Sequence, residues 1–320
     1  MTHILAVDVG GTTTSAGLVN SATQCIDHWQ TRPTEPGVSQ FPLFFGQIIA
    51  SEMAHAQRQS WVVDPVVRVG LPGNFKPGVS ICPAIGSARQ LVLPQEDFPD
   101  ACITPWLTQH VPHGGVVYAV NDALAQAVGA MQALWCDDFN QKVMVYIGPG
   151  TGLGGAVLKL GRYPTEFEVI TDGHIYDIMV TIQGNRVMAE DVLSGRGILA
   201  RSGVPAVQLS ERDDLWNQHL SIGDDCADVA CQIIHHIQHQ TVVKGTPNHQ
   251  WRRSDMKKIS TVGVVMLGGS IGAKGRIGRH LAQTIEMSCR VMVRQATHPM
   301  QHALKGAVWL SEHPLQVVTP

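Results

Sequence analysis

The 320-residue chain has no uninterrupted apolar run near the roughly 18 residues that a membrane-spanning helix needs. Its N-terminus carries no charged segment followed by an apolar core, so secretion is not expected and the expected localisation is cytoplasmic. Charge is scarce: 15% of residues are charged and the formal net charge is −3. That balance argues against a broad nucleic-acid surface and against membrane attraction, so neither partner is expected. The seven cysteines, Cys25, Cys82, Cys102, Cys136, Cys226, Cys231 and Cys289, include no C-x-C or C-x-x-C pair. Free, buried thiols in a reducing compartment are the simplest reading. There is no Walker pattern, no short-period repeat and no low-complexity tract.

What is present is an apolar fraction of 44% and a length that suggests two domains. The apolar run Ile4-Leu5-Ala6-Val7 ends in DVGGTTTSAGLV, Asp8–Val19. Strands are expected over 4–9, 15–19 and around 25–29, with a helix over 43–57 and a short strand over 66–69 leading into the turn Leu71-Pro72-Gly73-Asn74. A strand over 116–120 precedes a helix over 122–133. The pattern then repeats with a strand over 142–147, the turn GPGTG over 148–152 and a returning strand over 155–160. Helices are expected near 189–201, 224–242, 271–287 and 299–310, and strands over 262–266 and 290–293. The stretch KGTPNH, 244–249, and the basic segment after it read as a solvated loop. Alternating strands and helices indicate an α/β class.

Both glycine-rich turns follow apolar strands. Glycines let backbone N–H groups approach a phosphate, and a threonine hydroxyl adds a donor. Gly10, Gly11, Thr12 and Thr13 form one candidate loop; Gly150, Thr151 and Gly152 form the other. Asp8 stands where a strand-end carboxylate can hold Mg²⁺ through water. Read alone, both turns fit tight hairpins equally well, with Asp8 as a cap. A third turn, Gly268-Gly269-Ser270, joins a strand to a helix and suits close approach of a nucleoside. Asn121-Asp122 follows the strand over 116–120 and reads either as a helix cap or as a carboxylate placed to accept a proton. The histidines His235, His236 and His239 include an i, i+4 pair, but no carboxylate joins them at helical spacing, so packing or surface is the expected role.

Taken in order, DVGGTTTSAGLV, NDALAQA, GTGLGGA, DGH, AEDVLSGRG and LGGSI resemble the motifs of the ROK family of sugar kinases and the related bacterial glucokinases. The resemblance runs from Asp8 to the final GAVWL. It implies an actin-like ATPase fold of the ribonuclease H-like type, with two α/β domains and a cleft between them. The expected division puts 1–115 with 300–320 in one domain and 116–299 in the other. The resemblance makes Asp8, Gly10, Gly11, Thr12 and Thr13 the first phosphate loop, Gly150, Thr151 and Gly152 the second, and Gly268, Gly269 and Ser270 neighbours of the adenosine. It makes Asp122 the catalytic base and Asn121 a sugar ligand. His174 and Glu190 match sugar contacts, Asp172 stands beside them, and Gly73 matches a Pro-Gly turn near the substrate. ATP and Mg²⁺ are implied, as is a homodimer.

Three departures bear on this. The family's zinc cysteines fall at Thr181, Gln183 and Met188, so no structural zinc of that type is expected. Thr171, not Glu, stands three residues before His174. The family's Pro-Asn near the sugar is Pro83-Ala84 here. Lost hydrogen-bonding groups change discrimination among hydroxyls steeply, so phosphotransfer is better supported than glucose as acceptor. The alternative is a non-catalytic sugar- or nucleotide-binding regulator, although the chain starts directly at the phosphate strand with no room expected for a helix-turn-helix.

Overall fold

The structure is a computed structural model that describes residues 1–34, 40–72, 74–75, 83–84, 107–111, 114–172, 175–242, 259 and 261–313. Gly73, His174 and the 244–258 segment lie outside the described residues. The chain divides into two compact units, Met1–Gly129 with Met300–Pro320, and Ala130–Pro299.

The first unit is built on β1 (Thr2–Val9), β2 (Thr13–Asn20), β3 (Ile26–Pro33), β4 (Val62–Val63), β5 (Val66–Leu71) and β8 (Val116–Asn121). The sheet order is β3-β2-β1-β5-β8, with β4 beside β1. β1, β2 and β3 are antiparallel, whereas β1, β5 and β8 run parallel. The parallel strands read as near-continuous apolar runs because both of their faces are covered. On one face Leu5, Val7 and Val9 pack with Phe41, Phe45, Ile48 and Ile49 of α1 (Gln40–Arg58). On the other, Ile4, Ala6 and Val19 meet Leu304 and Val308 of the last helix, Pro299–Glu312. Strand alternation puts Asp8 on this second face, in line with Ile4 and Ala6. β3 alternates between half-buried and exposed positions, as an edge strand with one wet face does. A small two-stranded sheet pairs β6 (Asn74–Phe75) with β7 (Pro83–Ala84).

Helix α2 (Asp122–Ala133) follows β8 directly. It crosses the last helix with almost no side chain between them. A Cβ at Gly129 would overlap the His302 carbonyl, and one at Gly306 would overlap the Ala125 carbonyl. Glycine is required at both positions by backbone approach.

The second unit repeats the topology with β9 (Val143–Pro149), β10 (Leu153–Leu160), β11 (Phe167–Asp172), β14 (Val262–Leu267) and β15 (Met292–Gln295), in the order β11-β10-β9-β14-β15. Here too three strands are antiparallel and two more join in parallel. A core of Val143, Val145, Ile147 and Val265 packs with Ile233, Ile234 and Ile237 of α6 (Leu220–Gln238) and Leu281 and Ile285 of α8 (Gly275–Cys289). The remaining helices of this unit are α3 (Gly195–Ser202), α4 (Ala206–Glu211), α5 (Asp213–Gln218) and α7 (Gly269–Gly272). The hairpin β12 (Met179–Ile182) and β13 (Asn185–Met188) holds the positions where the resembling family has cysteines.

Several expectations need correction. The boundary expected at residue 116 lies near Gly129, because β8 pairs with β5 and joins the first sheet. Asp122 therefore belongs to the same unit as Asp8. The helix expected over 189–201 is a 3₁₀ turn, Ala189–Asp191, followed by α3, whose start is set by Ser194 accepting the Gly197 N–H at 3.0 Å. The helix expected over 271–287 is split into α7 and α8 at Gly275, which adopts φ +79°.

Candidate functional site

In the first unit the carboxyl ends of β1, β5 and β8 come together, the end of a parallel sheet where ligands are commonly bound. Asp8 pairs with Gly70 across β1 and β5, and Gly70 pairs with Val120 across β5 and β8. A Cβ built on Gly70 would sit 3.3 Å from Asp8 Oδ1 and 3.5 Å from the Asp122 Cα. A bare glycine on the central strand thus lies between the acids of its two neighbours. Sequence reasoning missed Gly70, because within VVRVGL it reads only as a weak point in a strand.

Asp8 is 6% exposed, and its Oδ1 is buried with no hydrogen-bond partner among the described residues. Burial, and secondly the negative charge of Asp122, push its carboxyl well above the ordinary carboxylate range. Burial also pushes Asp122, whose side chain keeps a partly open rim, up to about 6, against the pull of the Ala123 amide. That amide donates to Asp122 Oδ1 at 2.8 Å. Asn121 is 5% exposed, and its Oδ1 accepts the Leu124 N–H at 2.9 Å. Both readings of Asn121-Asp122 therefore have a physical basis: Asn121 caps α2, and Asp122 stands as a carboxyl group with a raised proton affinity.

The first glycine turn closes β1 onto β2. The Gly10 N–H donates to the Thr13 carbonyl at 2.9 Å. Thr34 ties the turn down from β3: its N–H donates to the Thr12 carbonyl at 2.9 Å and its hydroxyl to the Gly10 carbonyl at 2.8 Å. Gly11, Thr12 and Thr13 form the outer part of the turn, with Thr12 and Thr13 exposed.

In the second unit the other two turns meet each other. The Gly268 N–H donates to the Ile147 carbonyl at 2.9 Å, and Ser270 Oγ lies 3.7 Å from where a Gly150 Cβ would be. Gly269 adopts φ +64°, and a Cβ there would overlap the Pro149 carbonyl. Thr151 and Gly152 complete the hairpin, with the Gly150 N–H donating to the Gly152 carbonyl at 2.8 Å. The Gly195 N–H at the start of α3 donates to the Gly150 carbonyl at 2.7 Å. Glu190 Oε1 accepts the Leu153 N–H at 3.2 Å and pairs with Arg196 at 3.2 Å, which ties this candidate residue to the second glycine hairpin. Asp172 ends β11.

The carboxyl pair fits a hydrated divalent cation in one respect: Asp8 presents a buried oxygen that has no partner among the described residues. Among the described residues no group of three or more His, Cys, Asp or Glu is disposed to hold a metal. The His235 and His239 rings meet at 4.2 Å, and His236 bonds the Thr241 hydroxyl at 2.9 Å. No described helix is long and apolar enough to cross a membrane.

No family model matches the chain, and no curated protein matches it. Solved structures do. A ROK hexokinase from Thermus thermophilus is 17% identical with a TM-score of 0.63, covering 97% of this chain and 99% of that one. A ROK family glucokinase from Streptomyces griseus, in complex with glucose and AMPPNP, is 16% identical with a TM-score of 0.66, covering 97% and 99%. A ROK family transcriptional regulator, a homolog of the E. coli MLC protein, is 15% identical with a TM-score of 0.56, covering 96% of this chain and 78% of that one. Identities this low speak to architecture alone. The two sheets, each an antiparallel trio extended by two parallel strands, are the actin-like ATPase fold in the form taken by ROK sugar kinases and glucokinases.

Proposed function

We propose that the protein is an ATP-dependent sugar kinase that transfers the γ-phosphoryl group to a hydroxyl of glucose or a related hexose or aminosugar. The observation that carries this reading is the convergence of Asp8 and Asp122 on Gly70, with a buried, unpartnered oxygen on one and a proton affinity near neutrality on the other. Asp122 accepts the proton of the attacking hydroxyl. Its value of about 6 suits that task, since a base works best when its pKa lies near the working pH. Asn121, its oxygen committed to the helix cap, fixes where α2 starts and so where Asp122 points, and it also addresses the sugar. Asp8 would hold Mg²⁺ through water, and the ion would neutralise charge on the phosphates. Gly10, Gly11, Thr12 and Thr13 in the first unit, and Gly150, Thr151 and Gly152 in the second, supply backbone and hydroxyl donors to phosphate oxygens. Gly268, Gly269 and Ser270 take the adenosine. His174, Asp172 and Glu190 orient sugar hydroxyls in the second unit, and Gly73 does so in the first.

The sugar-kinase and glucokinase neighbours support this reading, and the glucose and AMPPNP bound by the Streptomyces griseus protein fit its substrate classes. A coupled ADP-release assay across hexoses, aminosugars and N-acylated sugars tests it. ADP release dependent on one of these sugars is the expected result. Nucleotide turnover that ignores every sugar would sink it.

A second reading, a sugar- or nucleotide-binding regulator without catalysis, is favoured by Thr171 in place of the family's Glu and by the regulator among the structural neighbours. It predicts sugar binding by calorimetry with no ADP release.

A further inference from the structure

Tyr146 is among the largest fully buried side chains, at 1% exposed, and lies in the middle of β9 between Ala156 of β10 and Met266 of β14. Its ring runs beneath both glycine-rich turns of the second unit. The Gly269 N–H donates to its hydroxyl at 3.2 Å. A Cβ at Gly148 would meet its Cε1 at 2.7 Å, and a Cβ at Gly268 would overlap its hydroxyl. Two glycines, Gly148 near the end of β9 and Gly268 just past β14, are thus excluded from carrying side chains by one phenol. Gly150 differs: a Cβ there would find nothing nearer than 3.7 Å.

We infer that Tyr146 is a positioning residue that sets the spacing between the Gly148–Gly152 hairpin and the Gly268–Ser270 turn, and that Gly148 and Gly268 are glycines because of its ring, not because a ligand needs their space. This rests on the reading of these turns as the nucleotide site. The reasoning is geometric. The hydroxyl holds the Gly269 amide from below, at the residue whose positive φ turns the chain. Without that contact the turn loses one fixed point but keeps its backbone bond from Gly268 to Ile147. The three atoms nearest to a side chain at position 268 all belong to that ring.

The test is calorimetric titration of the full chain with ADP, alongside steady-state kinetics. Wild type is expected to bind ADP; absence of binding would overturn the nucleotide reading and this inference with it. Tyr146→Phe removes one hydrogen bond and is expected to weaken ADP binding by about fivefold to tenfold. KM for ATP should rise in step, while kcat and the KM for sugar stay within about twofold. Gly268→Ala is expected to abolish binding, and the double variant Tyr146→Leu with Gly268→Ala to recover a measurable part of it. Wild-type affinity in Tyr146→Phe, or a double variant no better than Gly268→Ala while its circular dichroism matches wild type, would overturn the inference.

Discussion

The two glycine hairpins, Asp8–Thr13 and Gly148–Gly152, occupy the same place in equivalent sheets and solve opposite problems. Each follows the strand that joins the antiparallel trio to the parallel pair. In each, a glycine on the neighbouring parallel segment stands at the level of the residue two before the turn: Gly70 opposite Asp8, and Gly268 just beyond the Ile147–Leu267 pair. In the first unit the room left by glycine is taken by the Asp8 carboxyl, whose Oδ1 has no hydrogen-bond partner among the described residues. In the second, equivalent room is filled by the Tyr146 phenol. One module sets two acids close together and bears the electrostatic cost; the other is packed and neutral.

The comparison can be broken at several points, and the largest expected effect is at Asp122. Asp122→Asn should lower kcat by about 10²- to 10⁴-fold, the range for losing a general base, while ADP affinity by calorimetry stays near wild type. Near-wild-type turnover would remove the acid from the chemistry. Next is Gly70→Ala. Its methyl would crowd Asp8 Oδ1 at 3.3 Å, and is expected to reduce kcat by about tenfold or more and to weaken the thermal stabilisation given by Mg²⁺ with ATP. The matching change in the packed module, Gly148→Ala, should instead cost stability, roughly 1–3 kcal/mol for overpacking against Tyr146, measured by urea unfolding.

The electrostatic cost gives a smaller effect with a definite sign. Asp8 and Asp122 have raised proton affinity in the folded protein, so the folded state holds protons that the unfolded chain has lost. The stability they confer is complete below about pH 4, the ordinary carboxylate range, and is lost as pH rises through about 6 and beyond. In magnesium-free buffer at neutral pH, Asp8→Asn should therefore raise the unfolding midpoint, by a few degrees if the gain is roughly 1 kcal/mol. The same titration should appear in activity: kcat/KM is expected to rise with pH through an apparent value near 6 as Asp122 loses its proton. A flat profile between pH 5 and pH 8 would separate Asp122 from the rate.

Much of this architecture was legible locally. The run Ile4–Val7 before Asp8-Val9-Gly10-Gly11 announces a buried strand and its hairpin, and the spacing of Phe45, Ile48, Ile49 and Met53 announces α1. The short hairpin β12–β13 was not legible, because its turn is Gln183-Gly184, both at positive φ, where an Asn-Gly pair would have been a stronger signal. The domain boundary was misplaced because β8 and α2 are contiguous with the second half in sequence and pair with the first half in space. The site divides in the same way. Asp8, Asp122 and the glycines of the turns stand out by residue type and place. Gly70 and Tyr146 acquire meaning only through register with strands far away in sequence, which no local pattern encodes. Glu190 stood out by motif, but its tie to Leu153 and Arg196 was not legible. Gly73 and His174 remain proposals resting on motif alone.

The glycine-to-backbone crossing of α2 with the last helix has a consequence for how the protein is made. Asp122 opens a helix whose far side rests on His302 and Gly306. A nascent chain that has emerged as far as Gly129 therefore lacks one wall of its first unit, and the ribosome must deliver Ala130–Pro299 before that wall exists. Until then Ile4, Ala6 and Val19 lack the apolar cover that Leu304 and Val308 bring to that face.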